Sequence, residues 1–277
     1  MKRRYTLALP ILAGLTAIAT LATVVDAQEV DLRLKGSPGD MGSYAVDATR
    51  SFQLPDEFGG EQTLHATMTV HSTVADVKAD TIHYTLTVED PSVEFSGAGG
   101  AQSPDLSMFE DQEFTVVLTA NGEAVDFVSP EGLGQGGATV AASLSQFGSL
   151  PLPGAAVGVG DSWSDTTRAD GAMGLPASGE MITISTVTVT GISEKGGITI
   201  ADLSVEAEFA FEPAADAEGE PEVDMTGAVV SNVRFDATNG VILGSSSASD
   251  FAADISGAGV PGPISIYGTS ETTVTRQ

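Results

Sequence analysis

LHATMTVHSTVADVKADTIHYTLTV, residues 64 to 88, decides the fold class. Leu64, Ala66, Met68 and Val70 alternate with His65, Thr67, Thr69 and His71, and Ile82, Tyr84, Leu86 and Val88 repeat the alternation further on. A period of two over eight residues, rich in threonine and aliphatics, is a strand with one buried and one wet face. Joining the two through residues 72 to 80 makes an antiparallel hairpin whose register keeps even residues opposite even ones. A register centred on Val77 sets His71 opposite His83.

Working outward, EFTVVLTANGEAVDF (113–127) places Asn121-Gly122 between two apolar-rich runs, a strong hairpin signal. A two-residue loop there pairs Ala120 with Glu123, Leu118 with Val125 and Val116 with Phe127. The second half follows the same plan: MITISTVTVTG (181–191), a turn at SEKGG (193–197), ITIADLSVEAEFAF (198–211), then VRFDATNGVIL (233–243) with a second Asn-Gly at Asn239-Gly240. GDMGSY at Gly39 to Tyr44 resembles GDSWSD at Gly160 to Asp165. From Asp40 to Asn121 is 81 residues and from Asp161 to Asn239 is 78, which reads as an internal duplication with halves of about 36–136 and 157–277. The inward phase slips after Ile184 and again after Ile200, as a β-bulge would make it do.

Between the halves, GATVAASLSQFGSLP (137–151) spaces Val140, Leu144 and Phe147 at i, i+4 and i+7. Thr139 stands at the N-cap position, with Gly148 as a stop and Pro151 beyond it, which predicts a helix over 139–148. A weaker helical turn is predicted in SPDLSMFED (103–111). The following LPLPGAAVGVGDSW (150–163) reads as a seam: Val157 and Val159 re-enter the sheet and Trp163 anchors the next strand. That lone tryptophan is read first as a core anchor with its N–H on a backbone carbonyl, and second as a ligand contact. The acidic EPAADAEGEPEVD (212–224) is expected to be a mobile surface loop.

The first residues, Met1-Lys2-Arg3-Arg4, a largely apolar run from Tyr5 to Val25, and Val25-Asp26-Ala27, have the form of a secretory signal peptide cleaved after Ala27. An uncleaved anchor is the rival reading, weakened by Pro10, Gly14 and the threonines at 16, 20 and 23. The remaining 250 residues, one β-rich domain, would carry 8 basic and 37 acidic side chains, a net charge of −29. Such a surface repels nucleic acid and anionic membranes, which are excluded as electrostatic partners. With no cysteine, stability outside the cytoplasm rests on burial and hydrogen bonding.

Catalytic constellations are absent from the sequence pattern. There is no Gly-x-Ser-x-Gly elbow, no cysteine nucleophile and no phosphate-cradling glycine loop. His65 and His71 lie about 20 Å apart on one strand, so the histidines read as a solvated face, not a metal site. The expectation is therefore a non-enzyme with no metal and no cofactor.

The order of Asn-Gly hairpin, short helix, LPLPGAAVGVGDSW and FDATNGVIL resembles a broad set of secreted bacterial proteins and lipoproteins of unknown function. This chain lacks their acylated cysteine. More distantly, a curved antiparallel sheet with a helix on its concave side is similar to the half-barrel of periplasmic lipoprotein carriers, which implies an apolar groove for acyl chains. The combined expectation is a mainly β protein: a large, curved, half-barrel-like antiparallel sheet of about 10 to 12 strands. Its two similar halves have one short helix between them. In its concave face it would bind a hydrophobic small molecule or a lipoprotein or envelope partner, with Val140, Leu144, Phe147 and Trp163 as candidate contacts. The alternatives are a surface-accessory protein without a pocket and, last, a carboxylate- or metal-dependent hydrolase.

Overall fold

Alternating strands need a partner on each side and a cover for one face, and the chain meets both needs by one continuous winding. The structure, a computed structural model, describes residues 29–56, 59–97, 100–110, 112–130, 144, 148–170, 178–214, 220–257 and 262–277. The strands are β1 (Val30–Asp31), β2 (Met41–Gln53), β3 (Glu61–Lys78), β4 (Thr81–Ser96), β5 (Phe114–Thr119), β6 (Ala124–Val128), β7 (Ala156–Val157), β8 (Ser162–Asp170), β9 (Gly179–Lys195), β10 (Ile198–Pro213), β11 (Pro221–Asp236), β12 (Val241–Gly257) and β13 (Ile264–Arg276). Eleven of them form one antiparallel sheet in the order β6-β5-β4-β3-β2-β13-β12-β11-β10-β9-β8, open at β6 and β8. The mainly β, single-sheet reading is thus borne out. Several strands run 16 to 18 residues, well beyond the usual 3 to 10.

The sheet winds outward from β2 to β6, crosses to the opposite edge, and meanders back until β13 pairs with β2 from Tyr44↔Arg276 to Gln53↔Tyr267. Its bend follows from two adjacent amides. Leu34 N–H donates to the Ala120 carbonyl at the β5–β6 turn (2.8 Å), and Lys35 N–H to the Gly240 carbonyl at the β11–β12 turn (3.0 Å). On a flat sheet those turns would stand roughly 29 Å apart, six strand spacings of about 4.8 Å. Consecutive residues are only about 3.8 Å apart, so the sheet must curl to bring both turns to one strap. Leu32 and Leu34, with Leu150, Leu152 and Val157 of the crossover, fill the curl. They join Val70, Leu86, Phe114 and Leu118 from one arm to Val187, Leu203, Val233 and Phe235 from the other in one hydrophobic cluster. A second cluster, including Met181, Phe211, Val223, Met225 and Ile255, lies toward the other end of β9 to β13.

Local details correct the sequence reading at several points. The β3–β4 turn forms at Ala79-Asp80, not at Val77, because the Thr81 hydroxyl closes it on the Lys78 carbonyl (2.9 Å) and the Asp80 carbonyl accepts the Ala120 N–H (2.7 Å). With register shifts at Thr67/Thr69 and Val74/Asp76, His71 faces Thr87 and His83 faces Asp76, so the two histidines are not cross-strand neighbours. At Asn121-Gly122 the loop is longer than two residues. Gly122 takes φ +79 and donates to the Thr119 carbonyl, the turn-plus-bulge alternative to a tight hairpin. Val116 still pairs with Phe127, but Leu118 pairs with Ala124, and Val125 is exposed.

The phase slip after Ile184 is no bulge. Pairing continues unbroken from Ile182 to Val189, and Ile184 simply points outward, exposed. The slip in β10 does coincide with a register shift at Asp202/Leu203, with Thr190 of β9 as the extra residue. Val157 pairs with Val30 in a separate two-stranded sheet, and Val159 is exposed. The crossover therefore reaches β8 through the strap and not through the main sheet. The acidic stretch is strand at both ends: β10 runs through Pro213 and β11 starts at Pro221, with Val223 buried; of the loop expected between them, residues 215–219 lie outside the described residues. The turn in SPDLSMFED is a single 3-10 turn at Ser107–Phe109 that buries Phe109. Of the helix expected at 139–148, only Leu144 and Gly148 are described; the rest lies outside the described residues.

The two Gly-Asp turns carry matching bonds. Gly39 N–H donates to the Val74 carbonyl and Val74 N–H to that of Asp40, just as Gly160 donates to Val189 and Val189 to Asp161. Asp40 accepts from Ser37 N–H (2.7 Å) and Asp161 from Gly158 N–H (2.8 Å).

Candidate functional site

The strap and crossover fill only one end of the bend. Beyond them the inner face holds a cavity of about 1080 Å³, at or above the top of the roughly 300–1,000 Å³ range of small-molecule sites. Strand alternation builds its walls. On the β2–β4 side the inward residues are Val46 and Ala48, Leu64, Ala66 and Met68, then Val93. Cross-strand pairing stacks them in rows: Arg50 with Leu64 and Phe95, Ala48 with Ala66 and Val93, Val46 with Met68, Tyr44 with Val70 and Val88. On the β11–β13 side the inward positions are hydroxyls, Ser231, Ser245, Ser247 and Thr272, among Val233 and Val274. One wall is greasy and the other can hydrogen-bond.

The rim carries apolar side chains beside Arg50. Phe95 (43 %) and Met108 (51 %) line the cavity and are exposed. At the strapped end, Tyr44 and Tyr84 line the cavity together with Ser72, Asp40 and Arg276. Burial pushes the Tyr84 phenol up to about 12, and the neighbouring Tyr44 and Asp40 add to the shift. Burial also raises Tyr44, partly offset by Arg276. Both phenols are therefore neutral donors near neutral pH.

Of the residues singled out from sequence, Leu144 is buried, belongs to the main hydrophobic cluster and lines the cavity. Val140 and Phe147 lie outside the described residues. Trp163 packs on the cluster and donates its indole N–H to the Pro151 carbonyl at 2.8 Å; it is not among the residues lining the cavity. His65 and His71 contact Asp47 (3.2 Å) and Glu89 (2.7 Å) respectively. Among the described residues no group of three metal-ligating side chains converges. Sequence reasoning missed the basic lining residues Lys35, Arg50 and Arg276. For Arg50 the signal was present, a lone arginine at an inward phase of β2.

No protein-family description and no curated protein matches the sequence. Among solved structures, the chain is similar to one described as lipid–protein interactions in lipovitellin, with a TM-score of 0.53 and 11 % identity. The match covers 87 % of this chain and 25 % of that one, so this chain spans about a quarter of the neighbour's length. The likeness is one of fold.

Proposed function

We propose that the protein is an exported, non-catalytic carrier or receptor that holds a hydrophobic ligand on the inner face of its sheet. The carrying observation is the 1080 Å³ cavity whose β2–β4 wall is apolar through the Ala48–Ala66–Val93 and Val46–Met68 rows and whose rim leaves Phe95 and Met108 uncovered. Apolar surface of this kind, framed by polar groups, ordinarily has a covering partner. Lipovitellin, whose structure is described by its lipid–protein interactions, supports the reading as a fold that can serve lipid. Export is proposed from the charged and apolar pattern of residues 1 to 27, and N-terminal sequencing of the protein recovered from its host tests cleavage after Ala27.

The ligand reading is tested by native mass spectrometry of the purified chain before and after organic-solvent extraction. A mass excess that extraction removes, together with rebinding of an environment-sensitive apolar dye, is the expected result. A chain at its sequence mass that takes up no dye would overturn the proposal and favour a surface-accessory protein.

A further inference from the structure

Basic side chains are scarce in this acidic protein, and among the described residues all but Lys195, exposed at the end of β9, sort by partner. Arg33, Lys78, Arg168 and Arg234 each lie against a carboxylate, those of Asp31, Asp76, Glu180 and Asp202 respectively. Lys35, Arg50 and Arg276 line the cavity instead, and none of them forms an ion pair among the described residues. Lys35 is occupied by the carbonyls of Ala237 (2.9 Å) and Thr238 (3.1 Å). Arg276 reaches the Met41 carbonyl at 3.4 Å. Arg50 has no side-chain hydrogen bond or ion pair among the described residues. It stands in the row of Leu64 and Phe95, at the open rim. The two carboxylates of the lining are engaged locally, Asp40 by Ser37 N–H and Asp105 by Ser107 N–H.

From this arrangement we infer that the groove takes a long-chain fatty acid, its carboxylate held by the Arg50 guanidinium at the rim and its chain lying along the Ala48–Ala66 and Val46–Met68 rows. The inference rests on the groove reading above and adds the head group. A single planar guanidinium matches a carboxylate through two parallel N–H···O bonds. A phosphate dianion would call for a second cation close by. Arg276 faces Tyr44, six residues along β2 from Arg50 and therefore about 20 Å away. An acidic exterior repels an anion, so an unneutralised arginine at the entrance gives the head group a favourable place beside the apolar wall. The tail then runs from Arg50 toward Tyr44, over a wall that offers it no unsatisfied polar atom.

Hexadecanoate and hexadecanol, of equal chain length, separate head from tail when titrated calorimetrically into the delipidated full-length chain. The expected result is tighter binding of hexadecanoate, a loss of about 10- to 100-fold for Arg50→Gln with hexadecanoate alone, as for a hydrogen bond to a charged group, and no such loss for Arg276→Gln. Shortening the chain weakens both ligands by roughly fourfold per methylene removed from the groove. Equal hexadecanoate affinity in wild type and Arg50→Gln overturns the head-group assignment while leaving the groove standing. Failure of wild type to bind either compound overturns both readings. Arg50 is exposed, so its replacement leaves the fold intact, which circular dichroism checks.

Discussion

The Lys35 amide donates to the Gly240 carbonyl at 3.0 Å, and a Cβ on Gly240 would meet Lys35 N at 2.5 Å and Arg33 O at 2.6 Å. The strap that closes the bend thus lies directly on the turn of the second Asn-Gly hairpin. Gly122 stands in the same relation to Leu150 of the crossover, where a Cβ would overlap the Leu150 carbonyl. Both glycines also hold positive φ, +67 and +79. Turn chemistry and the close approach of a second backbone make the same demand at each site.

Gly240→Ala is therefore expected to destabilise the protein by about 1–3 kcal/mol through overpacking and backbone strain together. Urea unfolding checks it. An unchanged midpoint would mean that the strap is free to move off the hairpin.

In the second cluster Phe251 pairs across the strands with Gly268, and a Cβ there would overlap the ring. Gly268→Ala should cost about 1–3 kcal/mol, and Phe251→Leu about the loss of its packing. Because the two residues share one space, the double variant should be more stable than the sum of the single losses predicts, with a coupling of about 0.5–3 kcal/mol. Strict additivity would show that the ring does not lie over the glycine.

Tyr84 bears on pH. Its folded value, near 12, lies above the ordinary phenol value of about 10. The folded state therefore holds its proton longer than the unfolded chain does. This contribution is fully present below pH 10 and is lost as pH rises toward 12. Denaturant midpoints of wild type should fall across that window, and Tyr84→Phe should show a shallower decline, with the remainder from Tyr44. Parallel profiles for the two proteins would refute the burial of this phenol.

Ala66 sits in the middle of the apolar wall, between Ala48 and Val93. Ala66→Trp directs a bulky ring into the cavity and should reduce apolar dye uptake at least tenfold with little change in unfolding midpoint, since the space is not already filled. Undiminished uptake would place the dye elsewhere.

Trp163→Phe removes the bond to the Pro151 carbonyl and leaves most of the apolar contact. A loss of about 0.5–1.5 kcal/mol is expected, with dye binding unaltered because the indole lies off the cavity. A selective loss of dye binding would return Trp163 to the ligand-binding surface.

Much of the strand content was legible because period-two alternation is a local property. Leu64 to Val70 and Ile82 to Val88 could bury one face only as strands, and both Asn-Gly pairs mark real turns. Register was less legible. The His71–His83 pairing failed because the β3–β4 turn is held by Ala120, a residue of another hairpin, and no local pattern records that bond. Leu118 and Val125 parted because the Gly122 turn takes one more residue than the tightest loop, a choice enforced by Leu150 packing against it. The outward Ile184 imitated a bulge because sequence alone does not say which isoleucine of a strand is exposed.

By itself, then, the sequence determined the class of fold, the number of strands in the main sheet to within one, and the absence of cysteine-based stabilisation. Each depends on near neighbours or on composition. Only the tertiary structure decided that two hairpin turns meet one strap, that the resulting bend is filled at one end and hollow beyond, and that Arg50 stands at the mouth of the hollow. These relations join residues far apart in the chain, where hydrogen bonds and packing choose among registers that local alternation leaves equal in energy.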